Sequence, residues 1–479
     1  MSMTLGDRLV KEGLITADQR NEALQWQMAK GGRLGEALVT LGFISAVEFD
    51  KAMHRMPMPP HTVADTELPE LFLIELMLKI AFFSGKDQTL MELARRLHLP
   101  LSVVDELASK ATKDFLFEIR SVTGFIGNNY NYALTDRGRQ RAERALDSSS
   151  YAGPAPVSLR AYREQVLVQS VRQVEIDALQ IRQALQHLVI GEDLLDRIGP
   201  AFNSGRSIFI YGPPGSGKSS IAEALGRSLP DVVYVPHAIL VDGQVIRIFD
   251  PTVHVTTVPE VDDEERGIDT ALKARHDLRW EACRRPVVMV GGELTLSSLE
   301  LEYDVISKFY EAPAHMKAAN GMFIIDDFGR QQIPVRQLLN RWIVPLERGA
   351  DFLELHTGKK LEIPFDQITV FATNLSPAEL LDQAFLRRMR HKIRVPNQTE
   401  AEFIENLQRV CASKGIEFRT EMAAYLIDQY YKKENREFAG SHPRDLIEQI
   451  VDRARFRREI PEMSQVAIDA AVINYFVQT

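Results

Sequence analysis

The chain has 479 residues, enough for three or four domains at roughly 100–200 residues each. With 45% hydrophobic and 26% charged residues it has an ordinary globular composition, and a net charge of -9 excludes the broad positive field of a dedicated nucleic-acid binder while leaving room for a local basic groove. Two distant cysteines, Cys283 and Cys411, form neither a disulfide framework nor a metal-ligand pattern and read as small buried hydrophobes.

The N-terminal MSMTLGDRLVKEG lacks the apolar stretch of a signal peptide. The most apolar run, LFLIELMLKIAFF from Leu71 to Phe83, contains Glu75 and Lys79 and is too short to span a bilayer, so it predicts a core helix. A cytoplasmic protein with no membrane insertion is expected.

The first 60 residues hold a repeat. LGDRLVKEGLITADQRNEAL (Leu5–Leu24) and LGEALVTLGFISAVEFDKAM (Leu34–Met53) align with Leu5 on Leu34, Leu9 on Leu38, Gly13 on Gly42 and Ile15 on Ile44. Each copy reads as a short helix ended by glycine, then Thr16 or Ser45 capping a second helix, so the two should share one small core. The pattern resembles the N-terminal domain of type II secretion and type IV pilus assembly ATPases (MshEN-like), some of which bind cyclic di-GMP through R-L-G-x-x-L-V-x-x-G-L-I…L…Q motifs. The second copy has Arg33-Leu34-Gly35 but Arg55 where glutamine is usual; the first has Gln27 but Thr4 where arginine is usual. That resemblance implies cyclic di-GMP as a candidate ligand and a secretion or pilus component as a candidate partner.

Prolines in MPMPPHT interrupt any helix. Residues 64–147 then read as helix, helix, helix, hairpin, helix: a Thr89/Glu92 capping box, a helix entered through Pro100, and an alternating run around Gly127-Asn128-Asn129. This order resembles a winged helix. Its presumed recognition helix carries Asp105, Glu106 and Asp114 against Lys110 and Lys113, which favours protein contact over DNA. Residues 148–158 read as a linker by composition.

From 159 onward the chain carries chemistry. GPPGSGKS fits G-x-x-x-x-G-K-[ST] between an apolar strand, SIFIY, and a helical pattern. Glycines let successive backbone N–H groups turn around a phosphate, and the helix N-terminus adds partial positive charge. Gly212, Pro213, Pro214, Gly215, Ser216, Gly217, Lys218, Ser219 and Ser220 are therefore the candidate nucleotide-binding stretch. Lys218 is expected on the β- and γ-phosphates and Ser219 on Mg²⁺.

GMFIIDDFG places Asp326 and Asp327 at the end of an apolar strand, Asp326 as a metal holder and Asp327 as the water-orienting group. The same pair could instead cap a helix before RQQIPVRQLL. A third strand, QITVFATNLS, ends in Asn374, an amide able both to donate and to accept toward an attacking water.

These motifs together resemble the AAA+ ATPases. Gly212–Ser219 correspond to Walker A, Phe323–Asp327 to Walker B and Asn374 to sensor 1. Arg444 in AGSHPRDLIEQI looks like the sensor 2 arginine, Ile190-Gly191 like the segment beside adenine, and Arg387, Arg388 and Arg390 in AFLRRMRHKI like arginine-finger candidates. The family usually has glutamate at Asp327; a carboxylate set back by one methylene is expected to slow turnover, by about 10²-fold for a misplacement of about 1 Å. Hairpins are expected around Gly358, like a pre-sensor 1 hairpin, and at Asp242-Gly243. Lys308, Phe309 and Tyr310 are candidates either for a channel loop or for packing on a nucleotide-side helix.

The fold expected is therefore multidomain: a small all-α repeat domain (1–60), a winged-helix-like domain (64–147), a linker (148–158), an α/β P-loop core with a parallel sheet (159–396) and a C-terminal helical lid (397–479). The resemblance implies a Mg²⁺-dependent ATPase, working as a ring of about six subunits, that remodels a protein partner. Two other readings stay open: an ATP-gated regulatory or scaffold protein with weak hydrolysis, and a DNA-dependent motor or loader, against which the acidic balance argues.

Overall fold

The computed structural model describes residues 9–10, 14–30, 34–45, 49, 56–122, 130–257, 276–377, 387 and 389–476. Within the repeat, Leu9 and Leu38 are fully buried and Ile15 and Ile44 nearly so, all in one small core. Thr16 caps the helix Ala17–Lys30 by accepting from the Gln19 backbone, while Gln19 accepts from the Thr16 N–H. Thr4, Arg33 and Arg55, on which the cyclic di-GMP motif turns, lie outside the described residues.

The next block has the expected order. The apolar run forms the helix Glu70–Ser84, Thr89 and Glu92 form a reciprocal cap on Leu90–Leu97, and Pro100 precedes Leu101–Lys113. Strands Phe117–Val122 and Tyr130–Leu134 pair antiparallel, with Gln88–Thr89 on the other side of Tyr130–Leu134, and Asp136–Ser148 closes the block. The hairpin turn Gly127-Asn128-Asn129 lies outside the described residues. On Leu101–Lys113, Lys110 is paired with Glu70, and Glu106 accepts from the Val63 N–H.

The stretch that reads as a linker is bound into the structure. Tyr151, Ala155 and Val157 are buried, Ala155 N–H donates to the Leu97 carbonyl, and Val157–Ser158 forms a short strand beside Ala238–Val241. Small and proline residues allow that close approach, so composition alone does not distinguish a packed connector from a free one.

The central sheet has five parallel strands: β1 (Ile208–Tyr211), β2 (Val287–Val290), β3 (Met322–Ile325), β4 (Ile368–Thr373) and β5 (His391–Arg394), ordered β2-β3-β4-β1-β5. Its residues alternate between two buried faces. Ile208, Ile210, Met322, Ile324, Ile368 and Val370 enter one core, while Phe209, Phe323, Ile325 and Phe371 enter another beneath the helix Val335–Arg348. Near-continuous apolar strands are what a sheet covered on both faces requires. Because all five strands are parallel, their C-terminal ends share one edge.

A second sheet draws strands from before β1, from between the helix Lys218–Arg227 and β2, and from between β2 and β3, ordered Glu302–Asp304, Phe309–Glu311, Gln244–Arg247, Ala238–Val241, Val157–Ser158; beside it lies a ribbon of Val232–Pro236 with Trp280–Arg284. The Asp242-Gly243 hairpin lies here. The Gly358 hairpin pairs Ala350–Glu354 with Lys360–Pro364. The C-terminal helices Glu400–Ser413, Thr420–Leu426, His442–Arg457 and Gln465–Tyr475 enclose their own core. Among the described residues, no helix is long and apolar enough to cross a membrane.

Candidate active site

β1 delivers the glycine-rich turn. A Cβ at Gly212 would sit 2.1 Å from the carbonyl oxygen of Val395, which follows β5, so only glycine lets the loop leave the sheet there. Gly217 turns at φ 90 and passes the chain into α1 (Lys218–Arg227), a backbone conformation other residues rarely adopt. Between them Ser216 N–H donates to the Pro213 carbonyl, Pro214 is exposed, and Ser220 is exposed on the first turn of α1.

Lys218 is 7% exposed, and its Nζ donates to the carbonyls of Gly212 (3.0 Å) and Pro213 (2.7 Å). Burial pulls its pKa below the usual lysine value, an effect that Asp326 and Asp327 oppose. The ammonium is thus folded over the loop it would share with a phosphate.

Parallel register brings the acids to this loop. Ile325 lies opposite Phe371, and Thr373 opposite Tyr211, so the residues that follow β3, β4 and β1 emerge side by side. Ser219 Oγ donates to Asp326 Oδ2 at 2.7 Å, and Asn374 Nδ2 donates to Asp327 Oδ1 at 3.3 Å. Neither aspartate caps the following helix, which begins at Val335 behind Pro334, so the capping alternative is set aside.

Asp327 stands at φ 46, in the left-handed region where aspartate and asparagine are the least strained non-glycine residues. Gln331, 9% exposed, holds this turn. Its Nε2 donates to the carbonyls of Asp326 (3.0 Å), Asp327 (3.3 Å) and Gly291 (3.4 Å), and its Oε1 accepts from Gly329 N–H. Nothing in the local sequence marks Gln331; its partners come from two strand ends brought together by the sheet.

The C-terminal helices close on the loop through α2 (His442–Arg457). Ser441 N–H donates to the Gly215 carbonyl at 2.9 Å, and Arg409 donates to the carbonyls of Gln186 (2.8 Å) and Leu188 (3.3 Å). The second contact reaches the Ile190-Gly191 segment, where Ile190 packs half-buried on the core and Gly191 caps the helix Glu192–Asn203. Ser441 is a contact that its sequence signal, a serine just before a proline-opened helix, could have revealed.

Arg444 lies in the first turn of α2, exposed, with its guanidinium on Asp445 at 3.2 Å. Arg387 and Arg390 are exposed, Arg390 immediately before β5, and Arg388 lies outside the described residues. The channel-loop expectation fails for Tyr310. It is 1% exposed, its hydroxyl pairs with the His356 ring, and its strand belongs to the second sheet. Phe309 packs on Tyr151, and Lys308 donates to the Asp147 carbonyl, so neither lies on a nucleotide-side helix.

The donor set fits a triphosphate with Mg²⁺. Ser219 Oγ and Asp326 Oδ2 are hard oxygen ligands already side by side, and a lysine with backbone N–H groups at a helix start faces the same place.

The family described as a domain of unknown function (DUF8689) matches residues 399–474. No curated protein matches. Among solved structures, NtrX from Brucella abortus is 15% identical (TM-score 0.34), with 69% of this chain and 61% of that chain covered. NtrX in complex with ADP is 17% identical (TM-score 0.34), with 70% and 59% covered. The RuvB Holliday junction branch migration motor of Thermotoga maritima is 11% identical (TM-score 0.33), with 59% and 69% covered. The chain thus spans about three fifths of the length of the NtrX structures.

Proposed function

We propose that this chain is a Mg²⁺-dependent ATP hydrolase of the AAA+ type whose turnover is slow and whose output is the remodelling of a protein partner. The observation that carries the reading is the paired contact at the sheet edge: Ser219 on Asp326 beside Asn374 on Asp327, both next to the glycine-rich turn. In this reading Lys218 exchanges its loop carbonyls for the β- and γ-phosphates, and the N–H groups from Gly215 to Ser219 wrap them. Mg²⁺, when bound, draws charge from the phosphate oxygens. Asp327 and Asn374 hold the attacking water from two sides, and Gln331 keeps the Asp327 turn in place. An arginine from a neighbouring subunit, Arg388 or Arg390 ahead of Arg387, stabilises the charge that develops, and Arg444 reports occupancy through α2. A ring of about six subunits is the assembly this implies.

A second reading is favoured by Asp327 itself. A short carboxylate on a constrained turn suits a nucleotide-gated binder linked to a secretion or pilus system better than a fast motor. Single-turnover phosphate release measured beside equilibrium ATP binding separates the two. Slow release on the scale of minutes supports the hydrolase, and tight binding with no release supports the gated binder. Phosphate release accelerated by DNA would favour a DNA-dependent motor over both.

A further inference from the structure

Away from the glycine-rich turn, His98, His237 and Glu281 converge where the Glu70–Ser148 block meets the second sheet and its ribbon. One ligand atom from each lies within 4.8 Å of the other two. His98 ends the helix Leu90–Leu97 at φ 54, His237 joins Val232–Pro236 to Ala238–Val241, and Glu281 lies on Trp280–Arg284. Three separate elements thus supply one small polar cluster.

Each member is held in place. His98 Nδ1 lies 2.8 Å from the Leu278 carbonyl, which can only accept, so Nδ1 carries a proton and the ring orientation is fixed. The His237 backbone is fixed twice, its N–H donating to the Arg279 carbonyl and its carbonyl accepting from Ile248 N–H. His237 Nε2 is buried, makes no hydrogen bond, and sits 3.4 Å from Glu281 Oε1. Beside them the buried Asp277–Arg279 pair anchors the strand: Arg279 donates to the carbonyls of Thr66 and Pro156, and Asp277 N–H donates to that of Pro57.

Two ligands each about 2.1 Å from a tetrahedral ion stand roughly 3.4 Å apart. The His237–Glu281 separation matches that spacing, and imidazole with carboxylate is a set suited to zinc rather than to Mg²⁺. We propose that His98, His237 and Glu281 bind one divalent transition metal, zinc or an ion of similar preference, which fastens the Glu70–Ser148 block to the second sheet and its ribbon. Three protein ligands leave a fourth position for water. The bound ion takes the place of the direct His237–Glu281 contact and resists separation of the two blocks.

The test uses the full chain, stripped with a chelator and titrated with Zn²⁺ in excess Mg²⁺, which keeps the nucleotide site from competing. One zinc per chain is expected to survive gel filtration and to raise the melting temperature by a few degrees. Glu281→Gln, which preserves size, and His98→Asn, which suits the left-handed turn, should each weaken zinc at least 10-fold; together they should abolish it. ATP binding should be unchanged in both variants. No retained zinc in the parent chain, or equal zinc affinity in the double variant, overturns the proposal. Should the double variant misfold, undiminished zinc affinity in Glu281→Gln alone does the same.

Discussion

In the proposed hydrolase, Lys218 and Asp327 carry separable parts of the chemistry. Truncating Lys218 to alanine removes an ammonium that is 7% exposed and bonded to its own loop, so the fold should survive while ATP binding is lost. Isothermal calorimetry with Mg²⁺-ATP checks this, and circular dichroism confirms the fold. Asp327→Asn keeps a residue suited to φ 46 and keeps a partner for Asn374, but removes the charge proposed to orient water. ATP affinity should then stay within a few-fold and hydrolysis should fall by about 10²-fold or more. Asp327→Glu restores the missing methylene and should keep or raise turnover, provided that Gln331 still holds the turn. Steady-state phosphate release across the three forms decides, and an asparagine variant at the parent's rate would remove Asp327 from the water-orienting role.

Among the elements, those whose local pattern and burial coincide were legible in the sequence: the strand and helix around the glycine-rich turn, the capping box at Thr89, and the hairpins at Gly243 and Gly358. Contacts that only register creates were not. Gln331 and Ser441 gain their roles from strand ends and a distant helix start, and Tyr310 reads as a channel-loop or helix-packing aromatic until the second sheet buries it. The Gly358 hairpin shows another such contact. Arg341 on Val335–Arg348 grips Asp351 bidentately (2.6 and 2.9 Å), and His315 stands 2.9 Å from the same carboxylate. Burial pushes the Asp351 pKa up, but His315 and Arg341 outweigh it and hold the carboxyl far below the usual aspartate range. A depressed carboxylate contributes stability that is present above the unfolded value, near 4, and is lost as pH falls toward the folded one. Asp351→Asn should therefore cost about 1–3 kcal/mol at neutral pH, since Arg341 keeps Glu300 as a partner, and should flatten the acid limb of stability. Urea unfolding at pH 7 and at about pH 2.5, inside the window where the contribution is lost, measures both effects.

At the scale of the whole molecule, the proposed ring makes a claim that no single subunit can satisfy. Arg390 is exposed just before β5, and Arg387 is exposed as well. Mixing Lys218→Ala subunits with Arg388→Ala or Arg390→Ala subunits should restore activity, because some interfaces then pair an intact pocket with an intact arginine. No recovery despite demonstrated subunit exchange would mean that these arginines act within their own chain. Arg388→Ala is expected to show the effect first, then Arg390→Ala. The central claim, that this sheet edge hydrolyses ATP with Mg²⁺, is tested most directly by phosphate release from the purified full chain with Mg²⁺ and with excess chelator. Release above background that needs Mg²⁺ and disappears in Asp326→Asn is the predicted result; release that is absent from the parent chain, or equal in Asp326→Asn, would contradict it.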